Sequence, residues 1–460
     1  MTCFIAVGQC GNQISRELRA TANLIQVDSE SKVVDKKRGI YEQSGRGSNW
    51  ALGYNGYQTS RRGSHRHSSH ASQPLREGSK QTAWDSGGGH GHDLYLVHQV
   101  KARLRKLFEH GGADYTDSGG ASSTVDQHKN YTSEEQEEQR RDRPTTTRNG
   151  GGIKQIVLLH SVAGGTGSGL GSRLLEEIAD LYPRHRLASA AILPLRSCGS
   201  ETCLQSYNAC LTAAWMQEFC DANLLFENEH LLFGTAGGSS TSRRSGVVES
   251  CNQISEQHRA SSSGKANNAF SEANRQVGEV LNSLDWDSLF THVCPMRQLH
   301  FAQAYAYSLP KSGFVKSNLT SREHDEHLQF LRRHVLPSAL PQTPGENSKR
   351  VLFAAHARTR GINGGISFPS KNWIPGYEAA EWNRHFAYLV DQGREMNADV
   401  AMTINWSRSG DLLSAFLTNA RKKYRGRCFL HALENHGVYS QDVEAALDVV
   451  DAVVSKYREG

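Results

Sequence analysis

Long apolar runs are missing from this 460-residue chain. No stretch approaches the roughly 20 apolar residues that a bilayer-spanning helix needs, so no membrane span is expected. The opening MTCFIAVGQCGNQ lacks the basic n-region and extended apolar core of a secretory leader. The nine cysteines include no CxxC pair, which leaves zinc ribbons and thioredoxin-type chemistry without their signature. An odd, scattered set of this kind predicts reduced thiols and a cytoplasmic protein. Glycosylation triplets at Asn130, Asn318 and Asn405 carry no weight there. A charge bias is absent too: 52 basic against 47 acidic residues leave +5, too little to imply a nucleic-acid partner.

Apolar residues are scarce at 37%, and the shortage is local. Residues 58–92 include the basic, low-complexity SRRGSHRHSSHASQPLREGSKQ. Residues 111–152 are polar with mixed charge. Residues 234–246 and 260–269 are rich in Gly, Ser and Asn. None buries enough apolar surface to offset its ordering entropy, so each reads as a disordered surface insertion in a folded host.

Between these segments the chain is patterned. CFIAV is a buried-strand run that stops at Gly8, where GQCGNQI opens a helix-like stretch. LIQVD is a short strand ending at Asp28. IKQIVLLHSV is strongly β-type, and Leu170, Leu174, Leu175, Ile178 and Leu181 then follow a helical period. LASAAILPL is a further buried strand. Strand, glycine turn, helix and strand make a βαβ unit, which predicts a parallel sheet with its ligand site at the carboxyl ends of the strands.

The turn itself is HSVAGGTGSGLGS, residues 160–172. Gly164 and Gly169 have Walker spacing, but Leu170 and Gly171 stand where Lys and Ser/Thr are required. Gly165 and Gly167 fit a dinucleotide fingerprint, but Leu170 holds the place of its third glycine. What remains is a lysine-free anion cradle. Backbone N–H groups and a helix N-terminus supply the positive potential, and Thr166 and Ser168 add hydroxyls. GQCGNQ is a second strand-to-helix loop of the same kind, with amide side chains that can meet phosphate or base.

Together GQCGNQI and AGGTGSG resemble the two nucleotide loops of the tubulin family. GRGSNWALGY resembles that family's Gly–Asn–Asn–Trp–Ala segment, and VDSESKVVD its magnesium-side segment. SYNACLT and FENEHL resemble its ribose-side and base-side segments. RGRCFLHALENHGVYSQDVEAALDVVDAVVSKY resembles its closing helical pair. The resemblance implies an α/β fold: a Rossmann-like GTPase domain with a parallel sheet over residues 1–252, an α+β intermediate domain over 253–405, and a C-terminal helical hairpin over 406–460. Within the family, Ala163, Leu170–Gly171, Gln205, Asn252–Gln253 and an end without a Glu-rich tail look most like the delta type. That likeness implies a role in triplet microtubules of centrioles and basal bodies and in cilium assembly, with other tubulins or microtubule ends as partners. Epsilon-like divergence is the alternative within the family. A non-polymerising GTP binder and, in a different class, an NAD-binding oxidoreductase are the alternatives in function.

The resemblance also implies residue roles. Gly8, Gln9, Cys10, Gly11 and Gln13 would form the first phosphate loop of a GTP or GDP site. Gly164, Gly165, Thr166, Gly167 and Ser168 would cradle the diphosphate, with Gly47 and Ser48 on the γ-phosphate side. Asp28 and Glu30 would lie near Mg²⁺, Gln205 at the ribose, and Asn228 and Asn252 at guanine. The family's base-stacking aromatic falls at Val248, which weakens stacking. NRQVGEVLNSL resembles the segment that completes hydrolysis on a neighbouring subunit, with Glu279 as the acid and Asn274 as its companion amide. GTPase activity would therefore depend on head-to-tail association. Between Gln13 and Asp28 the chain is shorter than the family pattern by several dozen residues, which implies a reduced lateral surface or an incomplete gene model.

Overall fold

The computed structural model describes residues 1–19, 23–32, 34–35, 39–42, 45–56, 95–109, 152–195, 202–233, 264–308, 350–360, 377–383, 387–391 and 399–459. Most of the low-complexity segments, together with Val248 and Asn252, lie outside these residues.

β1 (Thr2–Val7) runs directly into α1 (Gly8–Ser15), and β2 (Leu24–Asp28) returns beside it. β3 (Ile40–Tyr41), α2 (Trp50–Asn55) and α3 (Tyr95–Glu109) follow. β4 (Gln155–Ser161) leads into a loosely wound glycine turn, Gly165–Leu170, and then α4 (Gly171–Leu181). β5 (Arg186–Leu193), α5 (Gln205–Phe219), β6 (Ala222–Glu227) and α6 (Asn228–Phe233) complete this half. The strands expected from CFIAV, LIQVD, IKQIVLLHSV and LASAAILPL all form, within two residues of their expected ends.

In this half the spatial order is β3-β2-β1-β4-β5-β6, and every neighbouring pair is parallel. Order reverses between β1 and β4, the point at which doubly wound sheets bind ligands. Side chains alternate between two cores. Cys3, Ile5 and Val7 of β1 and Ile156 and Leu158 of β4 face one side, under α3, α4 and α5. Phe4, Val157 and Leu159 face the other, under Ile14 of α1 and Val277, Val280 and Leu281 of α7 (Gly264–Ser283).

After α8 (Trp286–Ser288) the sheet continues through β7 (Phe301–Ser308), which joins β6 in parallel. β11 (Asp399–Trp406) lies antiparallel between β7 and β8 (Val351–Arg360). β10 (Ala387–Asp391) and β9 (Glu378–Ala379) both pair with β8, giving eleven strands among the described residues. α9 (Arg408–Arg425) and α11 (Ser440–Glu459), with α10 (Leu430–Glu434) between them, close over α5. The first of these helices begins at Arg408. α5 is buried from Gln205 through Met216, because sheet and hairpin cover it from both sides.

Candidate nucleotide site

The two glycine loops meet. A Cβ added to Gly8 would lie 2.9 Å from the Gly167 nitrogen, and Gly8 itself has φ of +75°. Gly11 allows α1 to lie on β4, since a Cβ there would be 2.1 Å from the Leu159 carbonyl oxygen. Gly165 and Gly169 seat the turn against residues 46–54, where added Cβ atoms would come within 2.5 Å of the Arg46 oxygen and 2.1 Å of the Trp50 oxygen. Gly164 differs: a Cβ there meets nothing within 4 Å. Packing therefore accounts for most of the glycines, and Gly164 is the one that borders open space.

Neither α1 nor the glycine turn has a side-chain cap at its start. Their first N–H groups are left for solvent or an anion. Thr166 is tied to the β2 side by a 2.6 Å hydroxyl contact with Ser29. Ser168 is buried, and its hydroxyl donates to the Gly164 carbonyl, so it braces the turn from within.

Two buried residues that the sequence did not single out hold this arrangement. His160 is fully buried, and its Nδ1 donates to the Gly167 carbonyl at 2.9 Å. A carbonyl only accepts, so that bond fixes the tautomer, and Nε2 accepts from Ser189 Oγ at 2.8 Å. Burial pushes the His160 pKa down to about 4, so the ring is neutral at pH 7. Asn208 of α5 donates its amide to the carbonyls of Ser48 (2.8 Å) and Ala163 (2.7 Å) and accepts from Trp50 N–H (3.1 Å). One side chain thus joins the 46–50 segment to the turn. The signal was available in part: an Asn beside the mostly apolar Ala209–Met216 run of a helix is expected to be hydrogen-bonded where it is buried.

Asp28 ends β2 and is buried, with Glu30 N–H donating to it at 3.3 Å. Desolvation pushes its carboxyl up to about 6, against the opposing backbone hydrogen bonds. Glu30 is more exposed and pairs with Lys32. Gly47 (φ 54°) and Ser48 (φ 50°) are both left-handed and lie beside the turn. Burial pushes the Cys10 thiol up to about 12, so it is an inert, packed sulfur. Gln9 is exposed and Gln13 half-buried on α1. Gln205 and Asn228 are the first residues of α5 and α6, at the same carboxyl edge of the sheet.

Glu279 is elsewhere. It sits on the exposed side of α7, ion-paired with Arg275, which also holds Glu272. α7 packs on α1 through Gly278, where an added Cβ would lie 2.4 Å from the Glu17 Cβ. Among the described residues, no group of three or more His, Cys, Asp or Glu gathers as a metal cluster.

The description Tubulin/FtsZ family, GTPase domain, matches residues 97–234, which carry β4, the glycine turn, α4, β5, α5 and β6. The tubulin gamma chain of Eremothecium gossypii is 34% identical over 326 residues, 65% of this chain and 63% of its own length. That of Saccharomyces cerevisiae is 52% identical over 75 residues, 16% of this chain and 15% of its own. That of Candida glabrata is 35% identical over 144 residues, 31% and 28%. The chain thus spans less than two thirds of the length of each of these relatives. Matched domain, relatives and a sheet reversing between two glycine loops agree: residues 97–234 are similar to the Tubulin/FtsZ GTPase domain, and the chain has the α/β fold expected of a tubulin.

Proposed function

We propose that this chain is a GTP-binding cytoskeletal subunit of the tubulin type, which holds the phosphates with backbone rather than lysine. The observation that carries this reading is the contact of Gly8 with Gly167 at the reversal of strand order. Around it, uncapped helix starts offer N–H groups, and Gly164 leaves room for a phosphate. Gly8, Gln9, Cys10, Gly11 and Gln13 take one side of the nucleotide, and residues 164–168 the other. Gln205 takes the ribose, while Asn228 and Asn252 take guanine, where an amide suits an edge with both donors and acceptors.

Asp28 and Glu30 suit Mg²⁺, a hard cation that takes one or two carboxylates and completes its shell with water and phosphate oxygens. A buried carboxyl raised to about 6 gains most from such a cation. When bound, the ion would neutralise phosphate charge.

Glu279, half-exposed on α7 and paired with Arg275, fits a part played across a subunit contact. The purified chain should retain GTP and GDP but not NAD. NAD retention without GTP would replace this reading with the oxidoreductase. GTP turnover should be slow alone, rise with added αβ-tubulin, and fall in Glu279→Ala. Rapid turnover by the monomer would remove Glu279 from the chemistry.

Two subunit types compete. Ala163, Gln205 and the Leu170–Gly171 pair support a delta-type protein of centrioles and basal bodies, which acts in triplet microtubules and cilium assembly. The gamma-chain relatives favour a gamma-type subunit. A tagged copy in ciliated cells should concentrate at basal bodies under the delta reading. Rescue of Saccharomyces cerevisiae lacking its own gamma chain would decide for the gamma reading.

A further inference from the structure

Neither glycine loop contains a cation, yet a nucleoside triphosphate is strongly anionic. Arg46 stands at the rim of the cradle. A Cβ on Gly165 would lie 2.5 Å from the Arg46 carbonyl oxygen and 2.9 Å from its Cβ, so the arginine backbone abuts the phosphate turn. Its position is fixed from the C-terminal side. Gly47 and Ser48 adopt left-handed backbone, and Asn208 holds the Ser48 carbonyl at 2.8 Å. A serine with φ of 50° is strained, and such conformations persist where the surroundings enforce them and cluster at ligand clamps.

The side chain is 5% exposed and paired through Nη2 with Glu42 Oε2 at 2.7 Å, Glu42 itself being 22% exposed. Glu42 follows β3, and its N–H donates to the Asp28 carbonyl at 3.4 Å. The pair therefore lies between the magnesium-side segment and the phosphate turn. A buried ion pair of this kind is a weak source of stability, since desolvation offsets most of its attraction. It does keep the guanidinium ordered on Glu42, while the Arg46 carbonyl and Cβ lie against the turn.

We propose that Arg46 is the cation of this lysine-free cradle and that it reads the γ-phosphate. With a triphosphate bound, the guanidinium turns from Glu42 to phosphate oxygens, whose geometry a planar, forked donor matches. With a diphosphate it stays on Glu42. The residue thereby distinguishes the two nucleotide states, and β3 carries the partner that it leaves. This inference rests on the GTP reading above.

The test is titration of the full chain with GTP and with GDP, in Mg²⁺, for wild type, Arg46→Met, Arg46→Lys and Glu42→Gln. Arg46→Met should weaken GTP by about tenfold or more, the scale of one charge-assisted hydrogen bond, and leave GDP within about twofold. Arg46→Lys should fall between it and wild type. Glu42→Gln, which removes the competing carboxylate, should tighten GTP. If Arg46→Met does not fold, the lysine and glutamine variants carry the test by the same split. Equal losses on both nucleotides, or none on GTP, would overturn the proposal and leave the GTP site standing. Wild type that binds neither nucleotide would overturn the GTP reading itself, and this one with it.

Discussion

At the scale of single residues, glycines that look alike in sequence do different work. Gly11→Ala puts a methyl group against the Leu159 carbonyl, so it should lower the melting temperature sharply. Gly164→Ala meets nothing in the protein, so it should melt like wild type while losing GTP affinity, because its methyl group enters the space left for phosphate. Calorimetry of both variants, with and without GTP, separates packing from binding.

Two titrating groups bracket the site with opposite signs. His160 is held near 4, below the usual 6.5. The unfolded chain therefore takes up a proton first, and stability falls as pH drops from about 6.5 toward 4. Asp28 is held near 6, above its usual value. The folded state then binds the extra proton, and stability falls as pH rises from about 4 to 6, by ~2–3 kcal/mol once the shift is complete. Asp28→Asn should remove that loss and raise stability at pH 7, while Mg²⁺ should no longer tighten nucleotide binding. Urea melts at pH 5 and 7 measure the first effect, and nucleotide titrations with and without Mg²⁺ the second.

Among elements, the strands were legible because they are buried on both faces, which writes continuous apolar runs into CFIAV and IKQIVLLHSV. The helix after the turn was legible from the spacing of Leu174, Leu175 and Ile178. The two glycine loops were legible as glycine clusters at strand ends. What holds them was not, since a hydrogen bond such as Asn208 to Ser48 spans 160 residues and leaves no local pattern. Ser168 shows the converse: its hydroxyl, expected to face phosphate, bonds to Gly164 inside the turn. Asn208→Ala would leave the Ser48 and Ala163 carbonyls and the Trp50 N–H without their partner. It should cost about 2–4 kcal/mol in a urea melt and weaken nucleotide binding.

Across the whole molecule, the C-terminal helices clamp the sheet at both of its ends. Arg408 of α9 makes a bidentate, buried pair with Glu227 at the end of β6, at 2.8 Å to each oxygen. Tyr457 of α11 both accepts from Phe301 N–H (2.8 Å) and donates to its carbonyl (2.9 Å) at the start of β7. Glu227→Gln or Arg408→Met alone should cost about 3–5 kcal/mol, since each strands a buried charge. The double replacement should cost much less than the sum of the two, which a double-mutant cycle by urea melt would measure.

The same wiring sets a timetable for synthesis. Asn49, which caps α2 beside the phosphate turn, donates to the Ala432 carbonyl 383 residues later, and Asn55 donates to that of His436, 381 residues later. A growing chain on the ribosome can lay down both glycine loops early, with α2 packed on Ser172, Asn208 and Trp215, but two of the hydrogen bonds that hold α2 form only after residues 432–436 have emerged. The last braces of α2 are therefore set late in the life of a new molecule. A polypeptide that ends before that point should hold GTP more weakly than the full chain under the proposed reading, which a nucleotide titration of the two would measure.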